Sequence, residues 1–436
     1  MTAADHRVAI QGALMHEEVV TEYLSLGLRF GRLADGFVDS WYGDPELARR
    51  VEAEPRPDAS GLAARSARLL AALPDSGLAE PRRRFLSAQL AALNCAARRM
   101  AGEEIPFGDE VRTYFEVDIE LGEPDRYAEI HDAIGALLPG SGDLRARTAA
   151  FYERNAVPPD RLARAVQAVS GELRAMTRTV FDLPEQESVE YVVVRDKPWN
   201  AYNRYLGGFR SRVELNAEAG RTIAALPLLA IHESYPGHHT EHCRKEAGLV
   251  DGAGHGEHLI SLVNTPQCLM AEGTAEMADA AVPGPGWGRW TADILADAGV
   301  RVEGELVEEV LRLIRLLMPA RQDAAIMLHD RGADPDQVTG YLERWLLVPP
   351  DHARRMTRFL TDPLWRAYSV TYIEGPRLVG AWLNAGPGRT SLVERYQRLL
   401  DEPLLPSDLR ADLEAVGREE PRPEPETVPA DTAAEA

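Results

Sequence analysis

His232-Glu233-Ser234-Tyr235-Pro236-Gly237-His238-His239 is the stretch that decides how this chain is to be understood. It opens as a metal-hydrolase helix does, with a histidine followed by a glutamate, and then departs from the usual spacing. The common arrangement is His-Glu-x-x-His, which sets two imidazoles at i and i+4 on one helical face. Position i+4 here is Pro236, which offers no ligand atom, and the next histidine is His238 at i+6. Six residues turn a regular helix through about 600°, so His238 would point away from His232. The two imidazoles can share one ion only if the helix bulges by two residues between them. Pro236 disrupts the hydrogen-bond ladder, Gly237 tolerates unusual dihedrals, and bulges of this kind gather at functional sites. The stretch therefore predicts a bulged helix carrying a metal site.

A hydrolytic zinc takes three protein ligands and keeps one position for water, whose pKa it lowers towards about 7. Glu233, next to the first histidine, is placed to take the water's proton. Downstream, Met270-Ala271-Glu272-Gly273-Thr274-Ala275-Glu276-Met277 reads as a helix with acids at i and i+4, so Glu272 and Glu276 share a face. One of them can complete a His, His, Glu set while the other holds a ligand histidine from behind. Taken singly, these residues are surface histidines and an exposed acidic face. Their succession is what favours the metal.

The same residues resemble the bacterial family catalogued as domain of unknown function 885 (DUF885). Its members carry H-E-x-x-P-G-H followed by E-G-W-A-L-Y, and they are regarded as relatives of helical zinc peptidases such as carboxypeptidase Taq and angiotensin-converting enzyme. Weaker matches run along most of the chain, through Tyr23–Arg29, Trp41-Tyr42-Gly43, Tyr202–Gly208, Ser211–Asn216, Arg321–His329 and Tyr372-Ile373-Glu374-Gly375. The resemblance implies a mainly α, gluzincin-type fold with a deep cleft. It implies His232, His238 and Glu272 as metal ligands, Glu233 as the base, and Tyr372 and His329 as hydrogen-bond donors to the oxyanion. His239 takes a supporting or substrate role. Thr274, Glu276 and Ile373 depart from the family's usual tryptophan, aliphatic residue and lysine, and these departures fall on the substrate pocket.

Composition suits an enzyme free of membrane and nucleic acid. The 436 residues carry a net charge of −21, which argues against nucleic acid or anionic lipid as partner. No apolar run approaches the ~20 residues of a membrane span. The N-terminus lacks a basic segment followed by an apolar core, so no signal peptide is expected. Cys95, Cys243 and Cys268 are scattered and odd in number, as suits a reducing cytoplasm. Cys243 reads as packing.

Apolar periodicity predicts helices over 19–37, 63–100 with a break at Leu73-Pro74-Asp75, 144–179 split by Val157-Pro158-Pro159, 302–317 and 336–347. β-rich and alternating segments predict a small antiparallel sheet within about 189–216, just before the zinc helix. The resemblance implies an edge strand there that pairs with an extended substrate backbone, as in the related peptidases; the alternative is a sheet that only packs. A single catalytic domain is expected over 1–418, with the zinc-site core at about 221–280. Residues 419–436, Pro, Glu and Ala without apolar periodicity, read as a disordered acidic tail. Neither a phosphate-binding glycine loop nor a G-x-S-x-G element is present.

The expected function is zinc-dependent cleavage of a peptide or amide bond in a short peptide or peptide-like small molecule. One zinc per chain is expected, although imidazole and carboxylate also suit Mn, Fe or Co. Carboxypeptidase action would need a cation, for which Arg210, Arg212 and Arg377 are candidates. Aminopeptidase action would need an acid, for which Glu276 and Glu374 are candidates. Tyr368, four residues before Tyr372, is a rival oxyanion donor. Two other classes fit the sequence: a tailoring amidohydrolase of a small metabolite, and a metal-free binding module that kept the fold.

Overall fold

Proline and glycine set the breaks between the helices, and the apolar stripes set the faces they bury. The computed structural model of the chain describes residues 3–195, 201–217, 226–386 and 390–418. The long helices follow the predicted stripes. Ala3–Leu33 opens the chain, Ala59–Ala72 and Glu80–Met100 flank the 3-10 turn at Leu73–Asp75, and Leu144–Arg154 is parted from Leu162–Val180 at the two prolines. Gly304–Arg315 and Pro335–Trp345 follow. Helix starts are capped as their residues dictate. Asp58 accepts from the Gly61 amide at 2.7 Å, and Ser391 forms a reciprocal capping box with Glu394. The first helix ends earlier than predicted, at Leu33, because Gly36 takes a left-handed turn (φ 84°) that carries Phe37 into the following strand approach.

The molecule is mainly helical, and one buried apolar cluster runs from Val20 to Leu409, with Phe30, Tyr114, Phe151 and Trp382 among its largest members. The predicted tail at 419–436 lies outside the described residues. No helix among the described residues is long and apolar enough to cross a membrane.

The predicted sheet is present but is mixed rather than antiparallel. Strands β2 (Ser188–Val194), β3 (Ala201–Tyr205) and β4 (Arg210–Asn216) lie in the order β2-β4-β3. β3 and β4 form a hairpin and pair antiparallel. Its turn uses Gly207 and Gly208 at φ 72° and 61°, where glycine carries no steric cost. Because β4 then inserts beside β2 instead of β3 doing so, the β2–β4 pair is parallel. The Glu246 carboxylate accepts from the amides of Gly208 and Phe209 at 2.9 and 3.2 Å and fixes this turn. A second ribbon pairs Val38–Trp41 (β1) with Ile260–Leu262 (β5). Strands of four and three residues are too short to show alternation in sequence.

Candidate metal centre

The helix Leu226–Glu233 stops at the second residue of the motif, and a new helix, His238–Lys245, starts at the second histidine. The bulge expected from the spacing is thus a full break. The Gly237 amide donates back to the Ile231 carbonyl at 3.0 Å, and Thr240 to Ser234 at 3.2 Å, folding the four intervening residues into a tight loop. A Cβ on Gly237 would lie 2.0 Å from the His232 carbonyl oxygen, so only glycine fits this approach. The loop returns His238 to the side of His232: their Nε2 atoms are 3.1 Å apart.

Glu272 completes the cluster. Its Oε2 lies 3.4 Å from His232 Nε2 and 3.8 Å from His238 Nε2. The helix that carries it, Pro266–Glu276, starts at Thr265, whose hydroxyl accepts from the Cys268 amide at 3.3 Å, with Pro266 in the first turn. It crosses the helix Thr371–Ala385 backbone to backbone. A Cβ on Gly273 would stand 2.6 Å from the Gly375 carbonyl carbon, and one on Gly375 would stand 2.8 Å from the Leu269 oxygen. The glycines of Glu272-Gly273 and of Tyr372-Ile373-Glu374-Gly375 are therefore two halves of one contact. That contact brings the Tyr368 hydroxyl to Glu272 Oε1 as a donor at 2.7 Å. Glu272 Oε2 is left buried and without a hydrogen-bond partner.

The geometry fits a tetrahedral ion. Ligands about 2.0–2.2 Å from zinc stand about 3.3 Å apart, close to the three separations found. The donor set, two imidazoles and one carboxylate with a free oxygen, is that of hydrolytic zinc. Glu276 Oε1 lies 3.5 Å from His232 Nδ1, on the far side of the ring, so the second glutamate backs the first histidine. The electrostatics agree. Burial would lower the His238 pKa, but Glu272 overrides it and, with Glu233 and Glu241, raises it to about 10. His232 is raised as well, by Glu272, Glu276 and Glu233 against burial. The acids thus hold protons on the imidazoles, and a dication would displace them.

Glu233 is buried beside both histidines. Burial raises its carboxyl pKa, the two imidazoles pull it down, and Glu272 adds to the rise. Its carbonyl accepts from Asn203 of the edge strand β3 at 2.5 Å. Tyr372 packs 5.6 Å from Tyr368, ring to ring, and burial with the charges of Glu272 and Glu233 keeps its phenol protonated.

Several expected residues are elsewhere. His329 gives its Nε2 to the Leu360 carbonyl at 2.8 Å and packs on Phe107 at 4.9 Å, and the ionisable groups around it are Arg366, Glu110 and Asp330 rather than those of the centre. It is therefore not an oxyanion donor. His239, although next to His238, faces Ser211 and Glu187 instead of the centre and is sealed with them at 2.9 Å and 3.1 Å. Its role is structural, with no exposure to a substrate. Arg212 and Arg210 are on the outward face of β4, and Arg212 pairs with Glu190 at 2.9 Å. Arg377 is exposed and pairs with Glu374 at 2.5 Å; Glu374 is buried and also accepts from Gln322 at 3.0 Å. None of these four serves a substrate at the centre. The centre is partly open to solvent: the side chains of His232 and Glu276 keep 16% and 31% of their exposure. A surface cavity of about 490 Å³ lies apart from it, lined by Leu33, Arg99, Asp362 and Trp365 among others.

Two residues were missed by the sequence reading. Asp39, on β1, is close enough to His238, Glu272 and Glu233 to feel their charges. Burial, together with the two glutamates, pushes its carboxyl up to about 6 against the pull of His238. Arg321, within a stretch noted only for its resemblance, sits with its guanidinium 5.5 Å from the Tyr372 ring centre. Neither has a recognisable spacing to the histidines, because β1 and the helix Pro319–His329 reach the centre only through tertiary folding.

The chain matches no family model and no curated protein. Among solved structures it is similar to a "putative lipoprotein" from Colwellia psychrerythraea, at 14% identity and a TM-score of 0.50 over 82% of this chain and 69% of that one. It is also similar to a "putative lipoprotein of unknown function" from Shewanella oneidensis, at 14% identity and a TM-score of 0.47 over 85% and 75% of the two chains. At 14% identity the first of these likenesses speaks to the mainly helical fold alone.

Proposed function

We propose that the protein is a metal-dependent amide hydrolase of the gluzincin type, acting on a short peptide or peptide-like molecule, and that it is akin to the DUF885 family. The observation that carries this is the convergence of His232 Nε2, His238 Nε2 and the partnerless Glu272 Oε2 at tetrahedral spacing, with Glu233 alongside. Zinc bound there would polarise the scissile carbonyl and acidify water. Glu233, its carboxyl raised by burial, takes the proton of the attacking water and returns it to the leaving amine. Tyr372 donates its phenolic proton in a hydrogen bond to the carbonyl oxygen as negative charge develops. Tyr368 and Glu276 hold Glu272 and His232 in place. The edge strand β3, tied to Glu233 through Asn203, is placed to pair with an extended substrate backbone.

The test is Glu233→Gln assayed against a panel of acylated dipeptides. The variant is expected to keep its metal and fold and to lose about 10²–10⁴-fold in turnover. Near-normal turnover in the variant, or no hydrolysis of any amide by metal-replete native protein, would overturn the proposal.

A further inference from the structure

Among the described residues, Arg321 is the one cation drawn into this centre whose charge is not spent on a neighbour. It lies on the helix Pro319–His329. Its guanidinium has no hydrogen-bond or ion-pair partner among the described residues, and its one close contact is the Tyr372 ring, 5.5 Å from the guanidinium carbon. Neighbouring arginines behave differently. Arg315, at the end of the preceding helix, pairs with Asp279 at 2.8 Å, Arg212 with Glu190, and Arg377 with Glu374. The nearest acid acting on Arg321 is Glu276, and that carboxylate is directed to His232. Burial lowers the Arg321 pKa, which records the cost of holding the group there, yet a guanidinium stays charged at neutral pH. Arg321 is half-buried, so its unpaired donors stay open to an incoming group, and a fork of five donors is suited to bidentate binding of a carboxylate.

We propose that Arg321 binds the α-carboxylate of the residue released by hydrolysis, so that the substrate is a peptide or N-acyl amino acid with a free carboxylate next to the scissile amide. This rests on the amide-hydrolase reading of the centre and chooses between its carboxypeptidase and aminopeptidase forms. The position supports the choice. In such a substrate only the amide nitrogen and one carbon separate the scissile carbonyl carbon from the carboxylate carbon. A carboxylate on Arg321 therefore puts the carbonyl oxygen within the neighbourhood of Tyr372, which lies under the same guanidinium. The arginines suggested by sequence, Arg210, Arg212 and Arg377, cannot do this, since they face away or are paired.

The experiment compares benzoyl-Gly-Phe with benzoyl-Gly-Phe-amide. Both are titrated calorimetrically into metal-replete Glu233→Gln protein, which holds the ligands uncleaved, and their hydrolysis is followed with Glu233 intact. The acid is expected to bind about 10- to 100-fold more tightly than the amide, as a charge-assisted hydrogen-bonded pair should. With Arg321→Met added the acid-to-amide ratio is expected to fall to near one, and with Arg321→Lys to an intermediate value, with metal content unchanged in both. A preference for the acid that survives Arg321→Met would overturn the proposal, as would equal or absent binding of the two ligands by the parent. Arg321-dependent binding of the acid with no hydrolysis by native protein would uphold the carboxylate site and overturn the hydrolase reading instead.

Discussion

Among the described residues, two clusters hold two histidines and a glutamate with their ligand atoms within 4.8 Å of one another: His232, His238 and Glu272, and His255, Glu257 and His258. By residue type they are equal, and what surrounds them makes them opposite. Glu272 spends one oxygen on Tyr368 and leaves the other without a partner. Glu257 spends both on Arg82, at 2.7 and 2.5 Å, and is fully buried in that pair. Around the first cluster stand Glu233, Glu276 and Asp39, and its imidazole pKa values rise. Around the second stand Arg82 and Lys245: burial first and then Arg82 lower His255 against the pull of Glu257, and burial, Lys245, His255 and Arg82 lower His258 further. His258 also packs against Phe85 at 4.6 Å. The surroundings of the first would favour a dication, and those of the second would oppose one. Ligand identity nominates a metal site, and the charge behind the ligands decides it.

The largest effects should separate the two clusters. His232→Ala, His238→Ala and Glu272→Ala are each expected to weaken binding of the single ion by more than the ~10–100-fold that loss of a supporting contact costs. His255→Ala and His258→Ala should leave stoichiometry and affinity as they were. Equilibrium dialysis against zinc reads both outcomes, and a loss caused by His258→Ala would break the comparison.

Tyr368→Phe should fall within that ~10–100-fold range for metal affinity, because it frees Glu272 from its one hydrogen bond. Tyr372→Phe should leave affinity intact and lower kcat by about 10²–10³-fold, as loss of one oxyanion donor does. An exchange of these two phenotypes would reverse the roles given to the tyrosines.

Gly273→Ala is expected to cost about 1–3 kcal/mol, since its methyl meets the Gly375 backbone and the helices must part. Zinc affinity should fall with it, because Glu272 is the next residue. An unchanged thermal midpoint would show that the crossing is looser than described.

Proton linkage should give a smaller and graded effect. With His238 raised to about 10, metal entry must release protons, so apparent zinc affinity should climb as pH rises from 6 to 8. Away from the centre, Glu187 is buried with His239, Tyr235 and Arg174, and against its burial their hydrogen bonds hold its pKa at about 2. A depressed carboxylate stabilises above its unfolded value of 4.5, and that stability is lost as pH falls towards 2. Glu187→Gln should flatten the dependence of the thermal midpoint on pH in this window, and an equally steep profile would assign acid sensitivity elsewhere.

Much of this was legible in sequence where the signal is local. Helix breaks at Pro74 and Pro158-Pro159 are chemical punctuation, and the shared face of Glu272 and Glu276 follows from helical spacing. The triad was reachable because Pro236 and Gly237 announce the return of the chain between the two histidines. Other features were closed to such reading. His239 is chemically the same as His238 and adjacent to it, and only the position of Glu187, 52 residues away, shows that it belongs to a sealed network. His329 was placed by resemblance, yet a local bond to Leu360 holds it. β1 is too short to show a period, so Asp39 had no signal. The parallel β2–β4 pair depends on which strand of a hairpin lies inward, which alternation does not encode. Arg321 reads as one arginine among many until its lack of a partner is seen.

The most direct test of the account is anomalous X-ray scattering at the zinc edge from crystals of protein purified without chelator and supplied with one equivalent of zinc. The account predicts one peak at near-full occupancy, about 2.0–2.2 Å from His232 Nε2, His238 Nε2 and Glu272 Oε2, and no peak at His255 and His258. A peak at the second cluster, or none at the first, would contradict it.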